Sequence, residues 1–174
     1  MIRKFNGFTP QIHDTVFISE ASYIVGNVEI GQNSSVWPGV VIRGDYGKIT
    51  IGRNSAIQDN CVIHTDDYLN IGDNVSIGHG AVIHGHQIGN NVLIGINAVI
   101  LDSAEIGNFC LIAAGAVVKQ NAKIPDGSLV VGVPGVVRAL TERNRKSLEA
   151  PTANYIVNAQ KFREHRYGID IGPM

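Results

Sequence analysis

The sequence predicts a mainly β solenoid: a parallel β-helix of hexapeptide repeats, closed by a C-terminal α-helical segment. Three observations predict it. Ile or Val recurs every six residues over most of the chain. A Gly often follows that anchor, and a slim side chain stands four residues after it. Helix-forming Glu, Leu and Lys are scarce before residue 138, whereas Gly is abundant at 20 of 174 residues.

The series runs Ile12, Ile18, Ile24, Ile30, Val36 and Ile42, then Ile51, Ile57 and Ile63, then Ile71, Ile77 and Ile83. It continues through Ile88, Ile94, Ile100, Ile106, Ile112, Val118, Ile124 and Val130. The slim positions are Ser34, Ser55, Cys61, Ala81, Ala98, Cys110 and Ala116. A period of six is neither a 3.6-residue helix nor plain alternation. It describes short strands that each bury one β-branched residue and then turn a corner at Gly or Asn. Three hexads make one triangular coil of about 18 residues, and coils stack at the usual ~4.8 Å strand spacing. A β-sandwich of short strands does not keep its turns this regular. The pattern matches the left-handed parallel β-helix; the left hand comes from that resemblance, against the general right-handed preference.

Residues 1–137 read as the β-helix and residues 138–174 as a helical segment packing on it, in one domain. In that segment "RALTERNRKSLEA" and "PTANYIVNAQKFREHR" read as a short and a longer helix around Pro151. Ala153, Val157 and Phe162 stand at helical spacing, the face expected against the solenoid. The net charge is −1 with no long basic run, which argues against nucleic acid as a partner. No apolar stretch nears the ~18 residues of a membrane span, and the N-terminus lacks a signal-peptide core. Two cysteines, Cys61 and Cys110, fit a reducing, cytoplasmic setting, and both read as core residues rather than ligands.

The rhythm slips three times. Ile42 to Ile51 is nine residues, Ile63 to Ile71 eight, and Ile83 to Ile88 five. Each break follows the third hexad of a coil, so the breaks lie as loops along one edge of the prism. The residues directly after the three broken anchors are Arg43, His64 and His84. They stack one strand spacing apart, and two imidazoles at adjacent heights can share a metal ion. His79 belongs to the preceding edge, roughly 16 Å along extended chain from His84 at ~3.3 Å per residue. It reaches the ion only from a second copy of the chain, and a head-to-tail ring of three closes such a contact. One coil below His79 lie Gln58 and Asp59, facing the neighbour's Arg43 and Asp45. His86 has no place on either edge and reads as exposed or as an outer partner of the site.

The stretches "IRGDYGKITIGRNSAIQDNCVIHTDD" and "SIGHGAVIHGH" closely resemble the γ-class carbonic anhydrase family. The resemblance covers the chain from about residue 10 to its C-terminus. It implies a homotrimer with metal sites shared between adjacent subunits, holding Zn²⁺, with Fe²⁺ or Co²⁺ as alternatives, and hydrating CO₂ to bicarbonate. By motif match, His64, His79 and His84 are the implied metal ligands. Arg43 and Asp45 match the family's R-x-D pair, Arg43 bridging subunits through Asp59. Gln58 matches the residue that orients the attacking water or hydroxide. "ANYIVNAQKFRE" resembles the segment that returns a helix to the site, with Tyr155 near the metal. The chain departs from the family archetype in its reduced acidic loop. Tyr46, not Glu, follows Asp45, and Asp67 is either a proton-shuttle carboxylate or a solvated turn residue. This compact pattern implies weaker hydration activity.

Three other readings stay open on the residues. "GVPGVVR" resembles the exit segment of hexapeptide acyltransferases, which use one His as base and no metal. A metal-dependent thioesterase could use the same histidines. A non-catalytic metal-binding trimeric scaffold needs only the three ligands.

Overall fold

A computed structural model describes residues 1–146, 148 and 150–170; residues 147, 149 and 171–174 of the expected helical segment lie outside the described residues. Three stacks of short parallel strands form the faces of a β-solenoid. On the first face Ile12, Ile30, Ile51, Ile71, Ile88, Ile106 and Ile124 pair in succession. On the second, Ile18, Val36, Ile57, Ile77, Ile94, Ile112 and Val130 do so. On the third, Ile24, Ile42, Ile63, Ile83, Ile100 and Val118 follow one another. Every anchor in the six-residue series thus meets the anchor one coil away. None is more than 6% exposed, so each contributes roughly 1.5–3 kcal/mol of burial. The slim positions fill the prism corners: Cys61, Ala81, Ala98, Cys110 and Ala116 are fully buried.

The corners need a left-handed backbone, which Asn adopts more readily than other side-chain-bearing residues. Asn33, Asn54, Asn74 and Asn91 take φ of 58, 57, 56 and 56°. Their amides form a ladder along one edge, Asn33 to Asn54 at 3.3 Å, Asn54 to Asn74 at 3.2 Å and Asn74 to Asn91 at 3.3 Å.

The first phase break is not a loop, as the slipped rhythm had suggested. Val41–Ile51 is one continuous strand that runs from the third face round the corner to the first. Its far half pairs with Tyr68–Ile71, Lys48 opposite Tyr68 and Ile49 opposite Leu69. The extra residues are therefore hydrogen-bonded to the break one coil above. Gly47 is required there, because a Cβ would sit 1.5 Å from the carbonyl oxygen of Asp67.

At the C-terminal end, Val136–Ala139 pairs antiparallel with Ser128–Val131, a strand the hexad pattern did not foreshadow. Helices α1 (Glu142–Lys146) and α2 (Ala150–Glu164) follow. Pro151 falls in the first turn of α2, where a missing N–H costs nothing. The face α2 buries overlaps the expected one only at Phe162. Val157 is 50% exposed and Ala153 is exposed, whereas Tyr155, Ala159 and Phe162 meet Phe17 and Trp37. Two bulky aromatics projecting from the second face set that choice; the helix turns its own aromatic residues toward them. Helix α1 buries no side chain.

Candidate functional site

The corner between the third and first faces holds His64 and His84. Arg43 is in register with His64, and the His84 N–H donates to Ile100, so the corner rises one residue per coil. The imidazoles meet directly: His64 Nδ1 lies 2.9 Å from His84 Nε2. The far nitrogen of His64, Nε2, lies 3.0 Å from Asp45 Oδ1. Arg43 Nη1 donates to the other oxygen of Asp45. Burial works to raise the Asp45 carboxyl, but the Arg43 hydrogen bond and charge, with the bond from His64, outweigh it and hold it below the usual range. On His84, Nδ1 is buried and lacks a hydrogen bond, although Asp102 Oδ1 approaches to 2.5 Å. That approach is off the N–H direction, so it is a close contact and not a formed hydrogen bond.

This donor set fits a cation. With Asp45 taking the Nε2–H of His64, that ring turns the lone pair of Nδ1 toward His84 Nε2, which donates to it in one tautomer and, with its proton on Nδ1 beside Asp102, offers a second lone pair to a cation in the other. The separation is close to the roughly 3.3 Å that two imidazoles take at ~2.05 Å from one tetrahedral ion. Asp66 completes a group of three within one chain, its ligating oxygen within 4.8 Å of those of both histidines.

The corner between the second and third faces holds the rest. His79 Nδ1 lies 2.9 Å from Asp59 Oδ2, one coil below. Gln58 is 7% exposed and donates from Nε2 to Ser76 Oγ at 3.1 Å. Tyr155 on α2 stacks edge-on against Trp37 at 5.3 Å. Burial pushes its phenol up, with Asp59 and Cys61 adding to the shift. Among the described residues His79 does not join the His64–Asp66–His84 group. The chain thus carries two polar corners on opposite flanks of the third face. His86 stacks on Tyr68 at 4.7 Å, its Nε2 4.0 Å from Asp67 Oδ2. Both belong to a cavity of about 360 Å³, also lined by Asp66, His84, Asp102 and Gln120. Asp66, Ser76 and Asp102 escaped the sequence reading. Asp102 stands in an unbroken hexad and Ser76 is one of many serines, so only three-dimensional register reveals them.

The bacterial transferase hexapeptide pattern, six repeats, matches residues 9–44 and 85–120. The "Probable carbonic anhydrase" of Methanocaldococcus jannaschii is 55% identical over 89% of this chain and 99% of its own length. The chain belongs to the γ-class carbonic anhydrase family. The γ-class carbonic anhydrase 2 of Arabidopsis thaliana mitochondria is 36% identical over 87% of this chain and 58% of that protein. A solved Bacillus cereus structure described as an acetyltransferase superposes with a TM-score of 0.91 at 36% identity, covering 95% of this chain and 98% of that one. The hexapeptide pattern skips residues 45–84, the span in which two of the three phase breaks, His64, His79 and His84 fall. In this γ-class carbonic anhydrase relative, then, the three histidines fall where the hexapeptide pattern is interrupted, between coils that keep it.

Proposed function

We propose that the chain hydrates CO₂ to bicarbonate at sites shared between adjacent subunits of a homotrimer. Each site uses His64 and His84 of one subunit and His79 of the next to hold Zn²⁺, Fe²⁺ or Co²⁺. The observation that carries this reading is the pair of imidazole nitrogens facing each other at 2.9 Å, with Asp45 and Asp102 at their far sides. A bound divalent ion supplies Lewis acidity that brings the pKa of a water to about 7.

The chain's own residues do the rest. Asp45 fixes the proton of His64 on Nε2, and Asp59 does the same for His79 on Nδ1, leaving one nitrogen of each ring free to ligate. Arg43 keeps Asp45 ionised and bridges toward the neighbour's Asp59. Gln58, anchored on Ser76, orients the water that attacks CO₂. Tyr155 closes the same corner from α2. The new bond is between that water's oxygen and the carbon of CO₂, and one proton leaves. Asp66, Asp67 and His86 line its route through the cavity beside His84.

The third face supports the trimer. Its outward positions are Tyr23, Val41, Val62, Val82, Val99 and Val117, one per coil. The first face presents Gln11, Glu29, Thr50, Asn70, Gln87, Glu105 and Lys123 at the equivalent positions. An uninterrupted apolar stripe on a flat sheet face is a self-association surface. Three such faces around an axis bring the His64–His84 flank of one copy to the His79 flank of the next. The two buried cysteines are unpaired, which supports a reducing cytoplasm. No described helix is long and apolar enough to cross a membrane.

Two specific observations favour other readings. Asp66 offers a third ligand inside one chain, a two-His–one-carboxylate set of the kind that suits Fe²⁺. The similarity to the Bacillus cereus protein favours acyl transfer. Elemental analysis of anaerobically purified protein, with CO₂ hydration assayed on the same sample, tests the proposal. One ion per subunit with hydration is the expected result. Metal without hydration points to the thioesterase or scaffold readings, and neither metal nor hydration points to acyl transfer.

A further inference from the structure

Asp102 lies outside the motifs quoted for the family resemblance, yet it completes a pattern. Each of the three histidines has a carboxylate one coil away. Asp45 stands one coil below His64, 3.0 Å from Nε2. Asp59 stands one coil below His79, 2.9 Å from Nδ1. Asp102 stands one coil above His84, 2.5 Å from Nδ1. Along one corner the order is carboxylate, imidazole, imidazole, carboxylate.

We propose that Asp102 is a positioning residue: it takes the Nδ1–H of His84 and so leaves Nε2 as the nitrogen that faces His64 and the ion. The inference rests on the metal reading above, but its first consequence, the position of a proton, exists without metal. Nδ1 of His84 is buried and otherwise has no hydrogen-bond partner. The two possible acceptors are the carboxylate of Asp102 at Nδ1 and the neutral Nδ1 of His64 at Nε2, and an ionised acceptor binds the N–H more strongly; without Asp102 the proton moves to Nε2, is taken by His64, and blocks the ligating position. The other carboxylate near this ring, Asp66, is 3.9 Å from Nε2, the wrong nitrogen for the task. Asp102 is 53% exposed, which leaves its side chain free to rotate the short way from its off-axis contact into line with the N–H. Exposure also weakens it, so its removal costs about tenfold in zinc affinity, the low end for an outer partner of a metal-bound histidine.

The test uses the full-length protein labelled with ¹⁵N-histidine. Long-range ¹H–¹⁵N spectra of the metal-free protein report which nitrogen of His84 carries the proton. Zinc affinity is measured by chelator competition. The wild type should show Nδ1–H. Asp102→Ala should move the proton toward Nε2 and bind zinc about tenfold more weakly. Asp102→Asn, whose amide oxygen still accepts, should recover most of both. An unchanged tautomer in Asp102→Ala overturns the proposal even if affinity falls, since a charge effect alone would do that. A shifted tautomer with unchanged affinity overturns the link to the metal. Should the wild type take up no zinc, the shared metal centre fails, and the tautomer alone decides the role of Asp102.

Discussion

Refolding two metal-free mutants together tests the shared site most directly. His79→Ala keeps His64 and His84; His84→Ala keeps His79. Each alone should lose its metal, by more than the roughly 10–100-fold that loss of an outer hydrogen-bond partner costs. In a head-to-tail ring of three, each interface takes its pair from one subunit and its single histidine from the next. When equal amounts are unfolded, mixed and refolded, an interface is intact only if the pair comes from His79→Ala and the single from His84→Ala. Random assembly makes that true at about one interface in four, so the mixture should regain about a quarter of the wild-type zinc. A control follows from the 2.9 Å contact of His64 with His84 in one chain. His64→Ala mixed with His84→Ala should regain nothing, because no subunit supplies both. Native mass spectrometry establishes that mixed trimers form, and inductively coupled plasma analysis counts the metal. Mixed trimers without recovered zinc would refute the sharing of ligands. Full zinc in His79→Ala alone would assign the third ligand to Asp66.

Three further outcomes follow. Gln58→Ala should keep the metal, since its amide bonds Ser76 and ligates nothing, yet lower CO₂ hydration about 10–100-fold; ¹⁸O exchange from labelled CO₂ beside metal content checks it. Burial pushes the Cys61 thiol from 9.0 up to about 11, so unfolding releases a proton between those values; stability is whole below pH 9 and falls by about 3 kcal/mol as pH climbs through 11. Cys61→Ala should flatten that alkaline fall in urea titrations, and an unchanged slope would place its cause in other groups. Ile77→Ala should cost about 2–5 kcal/mol in the same titrations, because the side chain is fully buried between Ile57 and Ile94. Ile96→Ala, half exposed at a corner, should stay within about 0.5 kcal/mol.

The solenoid was legible because one inward residue per strand must be apolar at every coil, and nothing else in the chain imposes a period of six. The site was legible where it disturbed that period, since Arg43, His64 and His84 each follow a broken anchor. Asp102 disturbs nothing: it follows Ile100 in a regular hexad, and its meaning comes from standing one coil above His84. The continuity of Val41–Ile51 was hidden for a related reason. Extra residues at a corner read as a loop unless the next coil also carries extra residues to pair with them, as Tyr68–Ile71 does. The buried face of α2 was read correctly only at Phe162, because Ala153 and Val157 are apolar but small, whereas the docking surface is aromatic. Phe17 and Trp37 recruit Tyr155 and Phe162 by ring contacts at 5.0–5.6 Å.

The same division explains how a chain of this family superposes so closely on a protein described as an acetyltransferase. The hexads specify a scaffold, and the scaffold is indifferent to chemistry. In this chain the polar apparatus of the corners is concentrated in residues 43–102. A one-base acyltransfer site needs a single imidazole at an interface. Here the two corners flanking the apolar third face carry three, each with its own carboxylate, and two of them face each other at hydrogen-bonding distance. A lone catalytic base has no use for a second imidazole facing it at 2.9 Å with a carboxylate behind each ring. A cation is served by both rings, and it is that geometry, more than the solenoid that presents it, on which the metal-dependent reading of this chain rests.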